Sequence, residues 1–245
     1  MRIIYFLLLL IAATGCKKPE DRKCWKSAGK SVVKRVEVGE FTTMMIKEHL
    51  EIELIQDTVC FVNVLGGENM VNLVEVKNDN GLLTLSNKNK CSFLRKYSKS
   101  KIKVEIHFKQ CTNIEYQGSS PMYSRDTLHV NYFVLLIRDG SSSVDLTLKS
   151  DYLQTVIAHG FGDFTLRGKA NSANLDVRSN GYCHTENLNI RDSMTIISNT
   201  PVHSYVNAAN CKLKAQIESS GNIYYTGTPI SIQSFLYGSG SLIKF

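Results

Sequence analysis

From Gly118 to Phe245 one short pattern returns about every 20 residues, and this periodicity limits the fold more than any other feature of the chain. A turn of small residues opens at Gly118, Gly140, Gly160, Ser179, Ser198, Ser219 and Gly238. Four positions after each opening stands an apolar residue: Met122, Val144, Phe164, Cys183, Val202, Ile223 and Leu242. Two and four residues before most turns sit further apolar pairs, Val156 with Ala158, Leu175 with Val177, Met194 with Ile196 and Ala215 with Ile217. Alternation at period two marks a strand with one buried face. Each repeat therefore reads as strand, small-residue turn, strand, then a polar connection such as Arg167-Gly168-Lys169 or Asn187.

A unit of this length predicts an all-β fold, one coil per repeat of a narrow parallel β-helix. Neighbouring coils would pair at about 4.8 Å and inward residues would stack in columns. Leucine-rich repeats share the period, but their Leu and Asn pattern is absent, and a propeller blade needs about 40 or more residues. A β-sandwich of irregular strands is the alternative, and it does not explain why the turns stay in step. Gly and Ser at the turns have a physical reason, since stacked tight corners call for φ > 0 and leave little room for a Cβ. The step from Gly118 to Gly140 is longer, with the apolar pair shifted to Leu135 and Ile137 and Arg138 at a position apolar elsewhere. A bulge or longer connection is expected there.

Residues 1–15 read as a targeting leader: Arg2 starts it, and Ile3 to Ala13 form an apolar run too short to span a bilayer. It ends in Ala13-Thr14-Gly15-Cys16, which resembles the lipobox at which bacterial lipoproteins are cleaved and acylated on Cys16. That implies a signal peptide, a palmitate-type anchor and a membrane partner contacted through lipid rather than a spanning helix. Loss of Arg2 takes the formal charge from +7 to +6. Lys17-Lys18-Pro19-Glu20-Asp21 partly matches the surface-export signal of Bacteroidota lipoproteins. The expected location is the cell envelope at the outer membrane, facing either the periplasm or the exterior. Residues 16–31 read as the lipidated N-terminus and tether, and residues 32–245 as a single β-helix domain.

Strand-like stretches run through Val32–Val38, Phe41–Ile46, Leu50–Ile55, Val59–Leu65, Val71–Val76, Leu82–Ser86 and Ile102–Phe108, with no convincing amphipathic helix. They read as the first, less regular coils. Asn80-Gly81 before Leu-Leu-Thr-Leu is a turn-to-strand signal. The order of Phe41, Leu50–Gln56, Val59–Leu65, Gly81–Leu85, Ile102–Phe108, the repeated turns, Gly221–Pro229 and Gly238–Gly240 resembles the family labelled "putative auto-transporter adhesin, head GIN domain". The resemblance covers about residues 32–245. It implies a right-handed parallel β-helix, common among secreted proteins and lipoproteins of Bacteroidota, and binding rather than catalysis. Ser198-Asn199-Thr200-Pro201 departs from the Gly-Ser-Gly turn, so that corner should differ in shape.

With Cys16 assigned to acylation, six cysteines remain in an oxidising compartment. Cys183 should point inward, Cys111 and Cys211 should lie in or beside strands, and Cys60 should sit mid-strand. Cys24 and Cys91 fall outside regular repeats, and a Cys24–Cys91 bridge is expected on location alone, since six cysteines permit fifteen full pairings. His184 and His203 each fall five positions after a turn and should stack on one outer face with Tyr224 next. No third ligand is evident, and no metal or other cofactor is expected. Lys88, Lys90, Arg95, Lys96, Lys99, Lys101 and Lys103 cluster with Phe93 and Tyr97, which suits anionic lipid, lipopolysaccharide or acidic polysaccharide better than nucleic acid in an exported protein. Asp57-Thr58-Val59, Asp126-Thr127-Leu128 and Asp192-Ser193-Met194 resemble O-glycosylation sites of exported Bacteroidota proteins, at Thr58, Thr127 and Ser193. Asp-Thr and Asp-Ser also make good turns unaided. The leading expectation is a non-catalytic surface adhesin or binding scaffold for glycan, surface protein or a neighbouring copy. The alternative is a polysaccharide lyase or hydrolase, but the outward positions Asp145, Thr165, His184, His203, Tyr224 and Ile243 hold no carboxylate pair.

Overall fold

The computed structural model describes residues 27–89 and 101–245. Cys16, Cys24 and Cys91 lie outside the described residues, and so do the proposed bridge and most of the Lys-rich loop. In chain order the strands are β1 (Ser31–Glu37), β2 (Thr43–Glu48), β3 (Glu51–Gln56), β4 (Phe61–Gly67), β5 (Val74–Asp79), β6 (Leu82–Asn87), β7 (Lys103–Phe108), β8 (Asn113–Gly118) and β9 (Met122–Ser124). There follow β10 (Leu128–Gly140), β11 (Ser143–Gly160), β12 (Asp163–Arg178), β13 (Tyr182–Thr185), β14 (Leu188–Asn199), β15 (Ser204–Asn207), β16 (Lys212–Ile217), β17 (Ile223–Thr226), β18 (Ser231–Leu236) and β19 (Leu242–Lys244). All join one sheet that coils on itself as a parallel β-solenoid of about seven turns.

Three faces make the coil. The first stacks β6, β2, β8, the second parts of β10, β11, β12 and β14, then β16 and β18. The second stacks β7, β3, β9, the first parts of β11 and β12, then β13, β15, β17 and β19. The expected polar connection is itself a third face, formed by the first part of β10, the middle of β11 and β12 and the start of β14. One inward column on the second face runs Val104, Ile52, Met122, Val144, Phe164, Cys183, Ser204, Ile223, Leu242. All but Leu242 are buried. The first face answers with Leu85, Ile46, Tyr116, Ile137, Ile157, Val177, Ser198, Ile217 and Leu236.

Three register readings need correction. Val202 is not the inward residue of its coil; Ser204 is, paired with Cys183 and Ile223. Ser198 is a buried member of the column rather than the turn opener. The corner opens two residues later at Thr200, whose Oγ1 accepts the Val202 N–H at 3.1 Å, so the corner does differ in shape. Val156 and Ala158 are half-buried on the outer side, and Thr155 and Ile157 face inward. The cause is a bulge: β10 and β11 slip register between Ile137 and Gly140, which adds a residue before the corner, as the long step from Gly118 predicts. Cys60 precedes β4 rather than lying within a strand, while Cys183 is buried as expected.

The first half is not a run of sequential coils. The β2–β3 coil is sandwiched between β6–β7 on one side and β8–β9 on the other. β5 pairs antiparallel with β6 through the Asn80-Gly81 turn, where both residues have positive φ. β4 pairs antiparallel with β7, and β1 with β4. A short helix, α1 (Glu68–Val71), buries Met70 and Val71. These pieces lid one end of the core.

A charge cluster ties three of those layers together. Arg125 grips Glu53 through Nε at 2.8 Å and Nη2 at 2.9 Å, and Lys103 reaches it at 2.7 Å. Arg125 also touches Glu105 at 3.4 Å. The Arg125 hydrogen bonds, with Lys103 helping, outweigh desolvation and lower the Glu53 pKa to about 2. A folded-state pKa below the unfolded one adds stability above the unfolded value, and that stability is lost as pH falls through the folded value. Glu53 should therefore contribute about 1–2 kcal/mol at neutral pH, discounted because Arg125 and Lys103 remain 45% and 34% exposed. The loss is expected between pH 4.5 and about 2. Urea denaturation of Glu53→Gln across that window should show a flatter acid limb than the parent; matching limbs would remove this role.

Candidate binding groove

On the third face the chain writes one triplet in each of four coils: His129-Val130-Asn131, Lys149-Ser150-Asp151, Lys169-Ala170-Asn171 and Asn189-Ile190-Arg191. The middle residue points inward and is buried, and its neighbours point out. Parallel pairing places His129 beside Lys149, Lys149 beside Lys169 and Lys169 beside Asn189. The result is a column of polar side chains along one wall of a groove of about 740 Å³. The second column, Asn131, Asp151, Asn171 and Arg191, also lines it, as do Ala209 and Asn210.

Charge in the groove is unevenly balanced. Asn171 Nδ2 donates to Asp151 at 2.7 Å, and Arg191 lies against Asp192 at 3.0 and 3.1 Å. Lys149 and Lys169 make no ion pair among the described residues and are exposed. Ser150 Oγ donates to the carbonyls of Tyr152 at 2.8 Å and Asn131 at 3.3 Å, fixing the corner from inside. Beyond the bend Tyr132 stacks on Tyr152 at 5.2 Å. Gly168, just before Lys169, has φ +104°, and a Cβ there would run into the carbonyl oxygen of Leu148. Sequence reasoning treated this stretch as a connection. The missed signal is the even spacing of residues 129, 149, 169 and 189.

The expected sites lie elsewhere. His184 does join an outer ladder, stacked on Tyr205 at 5.5 Å, and Tyr205 on Tyr224 at 5.2 Å. His203 is not in it; the two-residue shift at Thr200 puts Tyr205 there, and His203 packs edge-on to Tyr224. His203 Nδ1 accepts the Asn222 N–H at 3.0 Å, and His184 Nδ1 faces Glu186 at 3.2 Å. Among the described residues no three His, Cys, Asp or Glu gather as a metal group. From the Lys-rich cluster, Lys88 pairs with Glu75 at 3.6 Å and Lys103 with Glu53. Thr58 is exposed, and its N–H donates to Asp57 at 2.6 Å. Val59 after it is exposed too, not the first buried residue of a strand. Thr127 is exposed immediately before β10. Ser193 lies inside β14 at a bulge, half-buried, with Oγ 3.3 Å from Ser172 Oγ.

The model of the family described as "Putative auto-transporter adhesin, head GIN domain" matches residues 40–229. The chain belongs to the head GIN family. Solved structures share the fold. A "putative adhesin" from Bacteroides fragilis superposes with a TM-score of 0.78 at 22% identity, covering 88% of this chain and 97% of that one. A "putative lipid binding protein" from Parabacteroides distasonis gives 0.65 at 19% identity, covering 89% and 97%. A "putative adhesin" from the same species gives 0.63 at 17% identity, covering 89% and 98%. No curated protein matches the chain. Among the described residues no helix is long and apolar enough to cross a membrane.

Proposed function

We propose that this head GIN protein is an exported, non-catalytic adhesin, anchored to the bacterial envelope by lipid on Cys16, which holds an anionic glycan in the third-face groove. The observation that carries the reading is the column of His129, Lys149 and Lys169, in which neither lysine has an ion-pair partner among the described residues. Adjacent coils sit about 4.8 Å apart, so a linear polyanion lying along the axis meets one donor per coil. Cations aligned this way attract acidic chains over a Debye length, with strong salt dependence. The asparagine amides of the same groove supply hydrogen bonds to hydroxyls. One related structure is named for lipid binding. The exposed lysines and asparagine amides of this groove suit a charged sugar better than an acyl chain. Thr58 and Thr127, exposed outside the groove, are the proposed glycan acceptors of the chain itself, with Ser193 a less accessible third.

Oligogalacturonate and neutral maltohexaose, offered to the detergent-solubilised chain, separate the outcomes. The acidic oligomer should bind and the neutral one should not. Lys149→Glu with Lys169→Glu should weaken binding at least tenfold, and raised salt should weaken the parent likewise. Equal binding of both sugars, or an unaffected double variant, would refute the groove. A Cys16→Ser chain should leave the membrane fraction; its retention there would refute the anchor.

A further inference from the structure

The stack is lidded at one end and open at the other. At the open end β18 pairs only with β16, and β19 only with β17, among the described residues. Ile232 and Leu236 continue the inward columns of Leu213 and Ile217, yet they are 43% and 55% exposed, because no layer among the described residues covers them. Ile230, Phe235 and Tyr237 are exposed beside them. Solenoids need a polar cap over a terminal coil, and edge strands are ordinarily guarded by charge. Among the described residues β18 has neither a cap nor a charged side chain of its own, and β19 carries only Lys244. From Ser219 to Ile243 no side chain is charged, in a chain that is 21% charged. The edges at the lidded end differ: β1 carries Lys34, Arg35 and Glu37, and β5 carries Glu75 and Lys77.

We propose that a second copy of this chain covers the open end, with β18 of one copy running against β18 of the other about a two-fold axis. The charge pattern selects the occupant. An uncharged apolar edge offers nothing to an acidic or basic partner. Head-to-tail stacking would press the exposed ion pairs of β1 and β5, Arg35–Glu37 and Lys77–Glu75, against an uncharged strand and desolvate them with no charge opposite. A two-fold contact sets one uncharged β18 against another, covers Ile232 and Leu236, and closes after two copies instead of growing into a fibre. It uses none of the groove lysines, so it stands or falls apart from the glycan reading.

The test is a cysteine scan in the full chain on host membranes. Under mild oxidation, Gln233→Cys or Ser234→Cys should give a band of twice the chain mass on non-reducing gels, absent from the parent and from Arg35→Cys. Native mass spectrometry of the detergent-solubilised parent should report a dimer. Ile232→Lys with Leu236→Lys should report a monomer with unchanged circular dichroism. If that double variant loses its β signal, the cysteine scan alone decides. A monomeric parent at every concentration, a dimer that survives the lysine pair in a folded variant, or cross-linking only when Ser234→Cys is mixed with Arg35→Cys would each overturn the proposal.

Discussion

Phe164→Asp should destabilise the solenoid by about 4 kcal/mol or more, enough to unfold much of the population. Phe164 is fully buried in the middle of the inward column, between Val144 and Cys183. Its replacement removes a packed ring and leaves a carboxylate with no cation in reach. The neighbouring Thr165 points outward from β12, between Asp145 of β11 and His184 of β13. Thr165→Asn should stay within about 0.5 kcal/mol of the parent. Urea denaturation of the two variants side by side reads the facing of β12. Equal losses would mean that the strand is turned over, since a slip of one residue exchanges the faces.

Gly168→Val should cost about 3 kcal/mol or more. Two effects add. The backbone at Gly168 sits at φ +104°, which a β-branched residue adopts only with strain, and the new Cβ would meet the Leu148 carbonyl oxygen of the coil below. Backbone cannot step aside without breaking the ladder that pairs Leu148, Gly168 and Leu188. Arg167→Val is the comparison. It removes only a surface pairing with Asp145, between side chains 41% and 45% exposed, and should cost less than about 1 kcal/mol. A Gly168→Val chain as stable as Arg167→Val would show that the corner has room that the structure denies it. Because Lys169 follows directly, a strained corner should also weaken binding in the groove.

What could be seen in the sequence was whatever the period keeps constant. Met122, Val144, Phe164 and Cys183 recur at 19 to 22 residues, Ile223 follows two coils after Cys183, and all lie in one buried column. The reading failed where a residue imitated its neighbour's role. Ser198 looks like a turn opener but is buried in the column, while Thr200 supplies the turn's hydroxyl acceptor. Val156-Ile157-Ala158 is apolar throughout, so alternation could not tell which side faces in, and a bulge reversed the guess. Of the lid, the Asn80-Gly81 turn and most strands were legible, but the pairing of those strands was not. Thr43 pairs with both Leu82 and Asn113, separations that leave no local period. α1, four residues long, carries no helical pattern. The groove was legible in principle through residues 129, 149, 169 and 189. It was passed over because polar residues between strands suggest a solvated loop, and here they form strands of their own.

A ligand lying along the third face would shield Lys149 and Lys169, which make no ion pair among the described residues. Lysine-reactivity footprinting of the detergent-solubilised chain, with and without oligogalacturonate, tests it at the residues themselves. Lys149 and Lys169 should be protected together as the acidic oligomer is added, while Lys34, Lys77 and Lys244 on other strands keep their reactivity. Unchanged labelling of Lys149 and Lys169 at saturating oligomer, or protection confined to lysines outside the groove, would contradict the account.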